Sequence, residues 1–497
     1  PTFRGMRQSL MNSFDEIYVL DLHGNSLKKE KAPDGSKDEN VFDIQQGVAI
    51  ALFVKRRASP GSKSVKHAEL WGSREHKYTW LLKHSLTTTK WTTLKPSSPQ
   101  YLFVPREEKL QKRFQSYPDI PSIFPVNSVG IVTARDRLTV HWTAQEVWTT
   151  VLNFSSLDPE LARAAYKLGG DARDWTVKLA QEDLRKSGPS KDNIVPILYR
   201  PFDVRFTYYT GNSRGFHCRP RGEVMRHLLR PNHVLLLPRR VETAIPWSHV
   251  FVSDKIVEHV AVSLKTIDYC FPLYIYDHGG SGGSAGNARH HSLQAAFVFE
   301  PTAGYSEREP NLNQKIVSVL KGTFRKEPSP EDIFHYIYAI LYSNAYRKRY
   351  GEFLKGDFPR IPFTNDFKLF QKLAAKGSEL VDLHLLRSKK LDKPIAKCEG
   401  AGELGVEKIT YDAKKKRVFL NANTYFTGVS SSVWEYRIGG YQVADKWLKE
   451  RKGRRLSSEE VATYARVITA IAGTIAIQES LDELFKQVEL HRLEVSS

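Results

Sequence analysis

Residues 14–55 read FDEIYVLDLHGNSLKKEKAPDGSKDENVFDIQQGVAIALFVK, and this stretch is the most informative about the first part of the chain. Two apolar runs, residues 17–22 and 48–54, have the length and the β-branched content of buried strands. The polar connection between them, from residue 23 to about residue 40, carries a Pro-Asp-Gly turn signal. It is long against a usual loop of about 4–6 residues, and long loops in compact domains tend to be functional. The pattern predicts two strands of an α/β fold with a functional loop between them.

Phe42 lies at the end of this loop, just before the second apolar run. An enzyme that acts on a base within duplex DNA must first extrude the base, which costs a few kcal/mol. An aromatic face recovers about 1–3 kcal/mol by stacking on a base, and a position between loop and strand supports the ring rigidly. The alternative for a lone phenylalanine is a core position at the start of a strand.

The strings around Phe42 resemble a known family of enzymes. Residues 21–25 (DLHGN) and 40–50 (NVFDIQQGVAI) look like the type I single-polypeptide (type ISP) restriction-modification enzymes and related single-chain type II enzymes. The region resembles the end of the catalytic domain of gamma-class DNA adenine methyltransferases, in which an aromatic residue ahead of the next-to-last strand stacks on the flipped base. The resemblance implies that Phe42 is this stacking residue and that S-adenosylmethionine is the cofactor.

Several motifs of such enzymes are not found between Pro1 and Ser497. No strand is followed by the Gly-x-Gly turn that cradles S-adenosylmethionine, and neither an Asn/Asp-Pro-Pro-aromatic tetrad nor a Gly-Lys-Ser/Thr phosphate loop is present. We therefore expect the chain to be the C-terminal part of a longer polypeptide, with most of the cofactor site upstream and no catalysis by this part alone. The resemblance places a nuclease, an ATPase that uses ATP and Mg²⁺, and the front of the methyltransferase domain in that upstream part.

The charge of the chain indicates a polyanionic partner. Lys and Arg number 74 against 55 Asp and Glu, so the formal net charge is +19. We predict double-stranded DNA as the partner, and a generically basic protein is the alternative that charge alone leaves open. Three distant cysteines indicate a reducing compartment without disulfides. Because there is neither a signal peptide nor an apolar run of about 18 residues, we expect a cytoplasmic protein with no membrane partner.

The sequence divides into three predicted parts. Residues 1–58 are the end of a methyltransferase domain, residues 59–123 are a connecting segment, and residues 124–497 are a DNA target-recognition domain. The strings YRPFD, PRGEVMRHLL and FPLYIY in the last part resemble the specificity region of the type ISP enzymes. The predicted fold class is α/β: the C-terminal strands of a Rossmann-like domain, then a mixed α/β domain with a helical C-terminal part. A glycine-rich stretch at residues 279–286 has the composition of a flexible loop rather than of a dinucleotide-binding turn.

The candidate DNA-reading residues cluster in one segment. Arginine pairs with guanine, and asparagine or glutamine with adenine, each discriminating by about 1–3 kcal/mol. Side chains of these types are most concentrated near turns in residues 210–221. Gly211 and Gly215 there let the backbone approach a groove of the DNA closely. We predict DNA contacts by Asn212, Ser213, Arg214, His217, Arg219 and Arg221, and secondary contacts by Arg135, Arg239 and Arg240. The alternative is a surface loop that contacts phosphates only.

The resemblance also implies an activity for the full protein. It would methylate the exocyclic amine of adenine at a defined site and cut unmethylated DNA after ATP-driven translocation. The alternatives are a stand-alone DNA specificity subunit, a motor-less single-chain methyltransferase-nuclease, and a phage-defence methyltransferase.

Overall fold

The computed structural model describes residues 3–26, 30–56, 63–98, 101–105, 108–242, 245–276 and 308–493, so the glycine-rich stretch at residues 279–286 lies outside the described part. The chain divides into two compact units. The first comprises Pro1–Arg113 with Thr243–Ile245, and the second comprises Phe114–Glu242 with Pro246–Ser497. This division reflects packing, and the boundaries that the sequence predicts at residues 58 and 123 stay predictions.

A mixed four-stranded sheet forms the first unit. Its elements are α1 (Arg4–Ser13), β1 (Glu16–Asp21), β2 (Ala49–Val54), β3 (Ser64–Glu69), α2 (Arg74–Lys83) and β4 (Thr92–Leu94), followed by α3 (Glu108–Gln115). The strand order is β2-β1-β3-β4, with β1 antiparallel to β2 and parallel to β3. The strands predicted at residues 17–22 and 48–54 are therefore confirmed, and they are direct neighbours in the sheet.

The second of these strands differs from the prediction in its burial. β1 buries Ile17 and Leu20, whereas β2 exposes the side chains of Ile50, Leu52 and Phe53. The prediction of a buried strand is wrong for β2, because β2 is the edge strand of the sheet and, among the described residues, pairs only with β1.

The N-terminal half of the second unit contains several small sheets and short helices. Its elements are α4 (Ile120–Ile123), β5 (Ser128–Val129), α5 (Asp136–Thr139), α6 (Ala144–Ser156), α7 (Pro159–Tyr166), α8 (Val177–Ser187), β6 (Ile194–Arg200), β7 (Asp203–Tyr208), α9 (Gly222–Met225), β8 (Val234–Pro238), β9 (Phe251–Ser253), β10 (Ile256–Val257), β11 (Asp268–Pro272), β12 (Tyr274–Tyr276) and β13 (Arg308–Pro310). The strand orders are β10-β6-β7, β5-β11-β8-β9 and β12-β13. Helices α6 and α8 pack with β7 around a core that includes Trp175 and Phe216.

The C-terminal half is more helical, as predicted. Its elements are α10 (Gln314–Phe324), α11 (Pro330–Tyr342), α12 (Asn344–Leu354), α13 (Phe367–His384), β14 (Lys397–Gly400), β15 (Thr410–Asp412), β16 (Arg417–Phe419), β17 (Thr424–Thr427), α14 (Ser431–Trp434), β18 (Arg437–Ile438), β19 (Tyr441–Gln442), α15 (Val443–Lys449) and α16 (Ser458–Leu490). Strands β14-β17-β16-β15 form one antiparallel sheet. Side-chain caps start the helices: Ser329 accepts a hydrogen bond from the backbone of Asp332, and Ser457 with Glu460 forms a capping box on α16.

Helices α11, α13 and α16 build the core of this half. Gly377 lets α13 approach α11 closely, because a Cβ atom there would lie 1.8 Å from the carbonyl oxygen of His335. His384 lies between Tyr338 and Thr474, with hydrogen bonds of 2.6 and 2.9 Å. Helix α16 is long and apolar enough to cross a membrane by length and composition, and half of its most apolar window is buried within the protein.

Candidate nucleic-acid interface

The loop between β7 and α9, residues 209–221, has a well-defined conformation, and we call it the arginine loop. The backbone N–H of Arg214 donates to the carbonyl of Cys218 at 2.9 Å, which closes a turn. The hydroxyl of Tyr209 donates to the carbonyl of Pro220 at 3.1 Å. Arg219 and Val132 exchange two backbone hydrogen bonds of 2.9 and 3.1 Å. The backbone N–H of Tyr209 also donates to the carbonyl of Asn193 at 2.8 Å, so the loop is tied at both of its ends to the folded unit.

The buried carboxylate of Asp183, on α8, organises the centre of the arginine loop. It accepts hydrogen bonds of 2.8 Å from the Thr210 hydroxyl, the Asn212 side-chain amide and the Phe216 backbone N–H. Gly215 is required beside it, because a Cβ atom there would lie 2.2 Å from an oxygen of Asp183. Sequence reasoning missed Asp183. A signal was available, since an acid among the apolar positions of an amphipathic helix needs partners when it is buried.

The arginine loop brings four predicted residues together around one surface hollow of about 210 Å³. It is lined by Ser213, Arg214, Arg219 and Arg221 of the prediction, and by Asp174, Cys218 and Glu223. Hydrogen bonds from Arg173 and Arg219 lower the pKa of the Asp174 carboxyl well below its usual range. The Arg219–Asp174 distance is 2.8 Å, so this guanidinium is oriented before any ligand arrives. The hollow offers planar hydrogen-bond donors, which suit base edges and phosphates.

In the first unit, Phe42 is presented on an anchored loop. Its side chain is 57% exposed, so the alternative of a core position is excluded. Its backbone N–H donates to the Asn40 side chain at 2.9 Å, and its carbonyl accepts from Arg74 at 3.0 Å. The hydroxyl of Tyr78 donates to the carbonyl of Val41 at 2.5 Å. An exposed ring on a fixed backbone is what stacking on an extruded base requires.

A fully buried ion pair holds the loop that carries Phe42 in place. The ammonium of Lys77 lies 2.8 Å from the carboxylate of Asp38, and both side chains have 0% exposure. Lys77 also donates to the carbonyls of Leu22 and Glu39 at 2.7 and 2.6 Å. Asp38 accepts from the backbone N–H groups of Gly24 and Gly72 at 2.6 and 2.8 Å. Each charge is thus compensated by several partners, the condition under which a buried pair is tolerated.

Comparison with known families identifies the second unit. A family model described as "Type ISP C-terminal specificity domain" matches residues 122–480. The chain belongs to this family. The matched region contains the arginine loop, Asp183 and the hollow, so these are features of a type ISP specificity domain.

Solved structures share the fold of the chain. A cryo-EM structure of a DrdV–DNA complex covers 96% of it with a TM-score of 0.64 at 23% identity. The type ISP restriction-modification enzyme LlaGI, as a nuclease-deletion mutant with a DNA substrate mimic, covers 97% with a TM-score of 0.61 at 18% identity. The ATP-dependent type ISP restriction-modification enzyme LlaBIII, bound to DNA, covers 97% with a TM-score of 0.64 at 18% identity. These likenesses confirm the predicted mixed α/β fold.

The chain spans only part of each of these proteins. It covers 49% of the DrdV chain, 37% of the LlaGI chain and 32% of the LlaBIII chain. No curated protein matches the sequence.

One predicted contact in this specificity domain is wrong. His217 is 1% exposed and cannot reach DNA. The hydroxyl of Thr207 donates to the carbonyl of Thr139, so the Nε2 of His217 donates to Thr207 at 2.8 Å. Burial lowers the pKa of His217 to about 4, which keeps the ring neutral near pH 7. His217 supports the arginine loop from within, and Asn212, although exposed, likewise holds the loop through Asp183.

The secondary candidates do not line the hollow. Arg135 donates to the carbonyls of Ala134, Leu168 and Gly170 at 2.9–3.0 Å, and its guanidinium lies 4.9 Å from the ring centre of Trp175. These contacts make Arg135 a support of the loop before α8. Arg239 is half-exposed and pairs with Asp357 at 2.9 Å, and Arg240 is half-buried. DNA contacts by Arg239 and Arg240 stay predictions.

Two glycine turns of the first unit are closed by contacts within the chain. The glycine turns after β1 and β3 both direct their backbone N–H groups at Asp38, so these amides are not available to a ligand carboxylate. At Gly24, where φ is +82°, a Cβ atom would lie 2.4 Å from the Cα of Asn40, so the chain itself fills this turn. No group of three or more His, Cys, Asp or Glu side chains in the described part is placed to hold a metal ion.

A larger cleft of about 1010 Å³ lies elsewhere in the second unit. Ile194, Leu228 and Ile256 are among its apolar lining residues, while Arg230 and Arg387 are among its basic ones. It shares no residue with the hollow. Arg387 is committed there to Asp254 and His233.

Proposed function

We propose that this chain recognises a defined sequence in double-stranded DNA, as the specificity portion of a restriction-modification enzyme. The observation that carries the proposal is the hollow of the arginine loop, in which Arg214, Arg219 and Arg221 converge within a type ISP specificity domain. Two further facts support it: the net charge of the chain is +19, and the solved structures that share its fold are of proteins bound to DNA or to a DNA mimic.

The hollow is suited to reading bases as well as binding phosphates. A guanidinium can donate two parallel hydrogen bonds to the O6 and N7 atoms of guanine, which discriminates against other bases by about 1–3 kcal/mol. Such bonds require a side chain that is already oriented. Asp174 orients Arg219. The backbone hydrogen bonds of the arginine loop fix the main-chain positions from which the side chains of Arg214 and Arg221 extend.

The experiment first selects bound duplexes from a randomised pool with the unaltered chain. The affinities of three variants for the selected duplex and for a scrambled duplex are then measured across salt concentrations. The variants are Arg214→Ala, Arg219→Ala and Arg221→Ala. A base reader loses preference for the selected duplex, by about 1–3 kcal/mol, whereas a phosphate contact weakens both and lowers the salt slope by about one. Arg137→Ala, at an exposed arginine outside the hollow, is the matched control. Unchanged affinities in all three variants would exclude the arginine loop as the reading surface.

We further propose that a longer polypeptide containing this chain transfers a methyl group from S-adenosylmethionine to the exocyclic amine of adenine. The exposed, anchored ring of Phe42 supports this, with the role of stacking on the extruded adenine. The cofactor, and the ATP-dependent cleavage of unmethylated DNA, belong in the proposal to other segments of that polypeptide.

A further inference from the structure

A second strongly basic surface lies far along the chain from the arginine loop, in the sheet β14-β17-β16-β15. We call residues 408–419 the basic hairpin. Its cations are Lys408, Lys414, Lys415, Lys416 and Arg417, and the four lysines are exposed. The Asp412 carboxylate accepts from the backbone N–H of Lys415 at 3.0 Å, which shapes the tip. The backbone carbonyl of Lys416 accepts from Val429 at 3.1 Å, which ties the tip to the sheet.

The cations of the basic hairpin form no ion pairs within the described part of the chain. None of its five cations has a carboxylate oxygen within 4.0 Å among the described residues, whereas several cations farther along the same half are paired. Lys446 pairs with Glu450, Lys449 with Asp445, and Arg454 with Glu460. A concentration of like charge opposes the folded state through self-repulsion, and a polyanionic ligand removes this repulsion.

An aromatic ring, and not a carboxylate, orients the one arginine of the basic hairpin. The guanidinium of Arg417 lies 4.3 Å from the ring centre of Tyr425. Tyr425 in turn contacts Phe419 across the strand pair, with 5.2 Å between ring centres. Contact with the ring face restrains the guanidinium, and no carboxylate of the described part pairs with its N–H donors. That geometry is pre-organised for bidentate binding of a phosphate.

We propose that the basic hairpin binds the phosphate backbone of double-stranded DNA, independently of sequence, as a second contact in addition to that of the arginine loop. The lysines at its tip act as point charges, and Arg417 acts as the oriented phosphate ligand. The proposal rests on the function proposed above, since it takes the same DNA as the ligand. It adds that the two surfaces have different roles. The arginine loop supplies the preference for one DNA sequence, and the basic hairpin supplies salt-dependent affinity for any duplex.

The test replaces Lys414, Lys415 and Lys416 together by alanine in the whole chain, and measures affinity for selected and scrambled duplexes between low and high salt. Each phosphate contact contributes about 0.9 to the slope of log affinity against log salt. We expect the slope to fall by about two to three and the affinity at 0.1 M salt to fall about tenfold or more, equally on both duplexes. Arg417→Gln should lower the slope by about one. Lys315→Ala/Lys368→Ala/Lys372→Ala removes the same charge from exposed positions on α10 and α13 and is the control.

Each outcome decides the proposal. An unchanged slope in the hairpin variant, or an equal loss in the control, overturns the basic hairpin while leaving the arginine loop intact. A loss confined to single-stranded DNA of the same length overturns the assignment to duplex. No duplex binding by the unaltered chain overturns this proposal and the proposed function together. Thermal unfolding of the variants confirms that these surface changes leave the fold in place.

Discussion

At the scale of single residues, Asp183 holds the arginine loop without touching a ligand. We predict that Asp183→Asn loses preference for the selected duplex and destabilises the second unit by about 1–3 kcal/mol. An amide has one acceptor oxygen, so at least one of the donors from Thr210, Asn212 and Phe216 is left unsatisfied in a buried place. Urea unfolding and duplex affinities measure the two effects. Glu182→Gln, on the neighbouring position of α8, should change neither, and a wild-type preference in Asp183→Asn would contradict the role.

The second residue-scale prediction concerns Phe42. In the full polypeptide, Phe42→Ala should lower the methylation rate by about 5–150-fold, the equivalent of 1–3 kcal/mol of lost stacking, with a smaller effect on duplex binding. A fluorescent base analogue at the target position should also lose its extrusion signal. Phe42→Trp should retain most activity, since it keeps an aromatic face. Ile44→Ala removes another exposed apolar side chain of the same loop and is the control; an equal loss there would argue against stacking.

At the scale of elements, the buried pair of Lys77 and Asp38 joins α2 to the loop that carries Phe42. We predict that Lys77→Met destabilises the first unit by about 3–5 kcal/mol, because it leaves the carboxylate of Asp38 buried and uncompensated. The double change Lys77→Met/Asp38→Leu should cost much less than the sum of the two single changes. Denaturant unfolding gives the coupling energy. Lys83→Met, at an exposed position of α2, should be nearly neutral, and additive single changes would refute the coupling.

The turn between β6 and β7 shows what a local sequence pattern predicts and what it does not. The pattern at residues 194–205 predicts a strand broken at Pro201, and the chain forms the antiparallel pair β6–β7, which turns between Arg200 and Asp203. Phe202 makes the turn with a φ of 61°, a left-handed conformation that is rare for a bulky residue. Pro201 favours a turn at this place, but local propensity does not predict a phenylalanine at its left-handed position.

At the scale of the whole molecule, buried neutral histidines make stability depend on pH. Burial lowers the pKa of His217, His233 and His249 to about 4 and that of His384 to about 3. An unfolded histidine has a pKa of about 6.5, so between pH 6.5 and 4 the unfolded state binds more protons than the folded state. Stability is therefore present above pH 6.5 and falls as the pH is lowered, by up to about 1.4 kcal/mol per pH unit for each histidine.

Thermal midpoints at pH 7 and pH 5 test this. The midpoint should fall at pH 5, and His217→Gln should reduce the fall, since glutamine can donate to Thr207 but does not take up a proton. His84→Gln, at an exposed histidine, should leave the fall unchanged. A midpoint that is independent of pH would show that these histidines are accessible to protons in the folded state.

The sequence predicted the α/β class, the two strands around the Phe42 loop, the helical C-terminal part, and the segment in which the arginines converge. These follow from periodicity, capping and composition, which act over a few residues. Sequence patterns did not predict that His217 is buried, that Arg135 binds carbonyls, that β2 is an exposed edge, or that Asp183 and Lys77 hold the two loops. The physical reason is that burial and hydrogen-bond partners are set by residues distant in sequence: Lys77 and Asp38 are 39 positions apart in the chain, and Asp183 and Phe216 are 33.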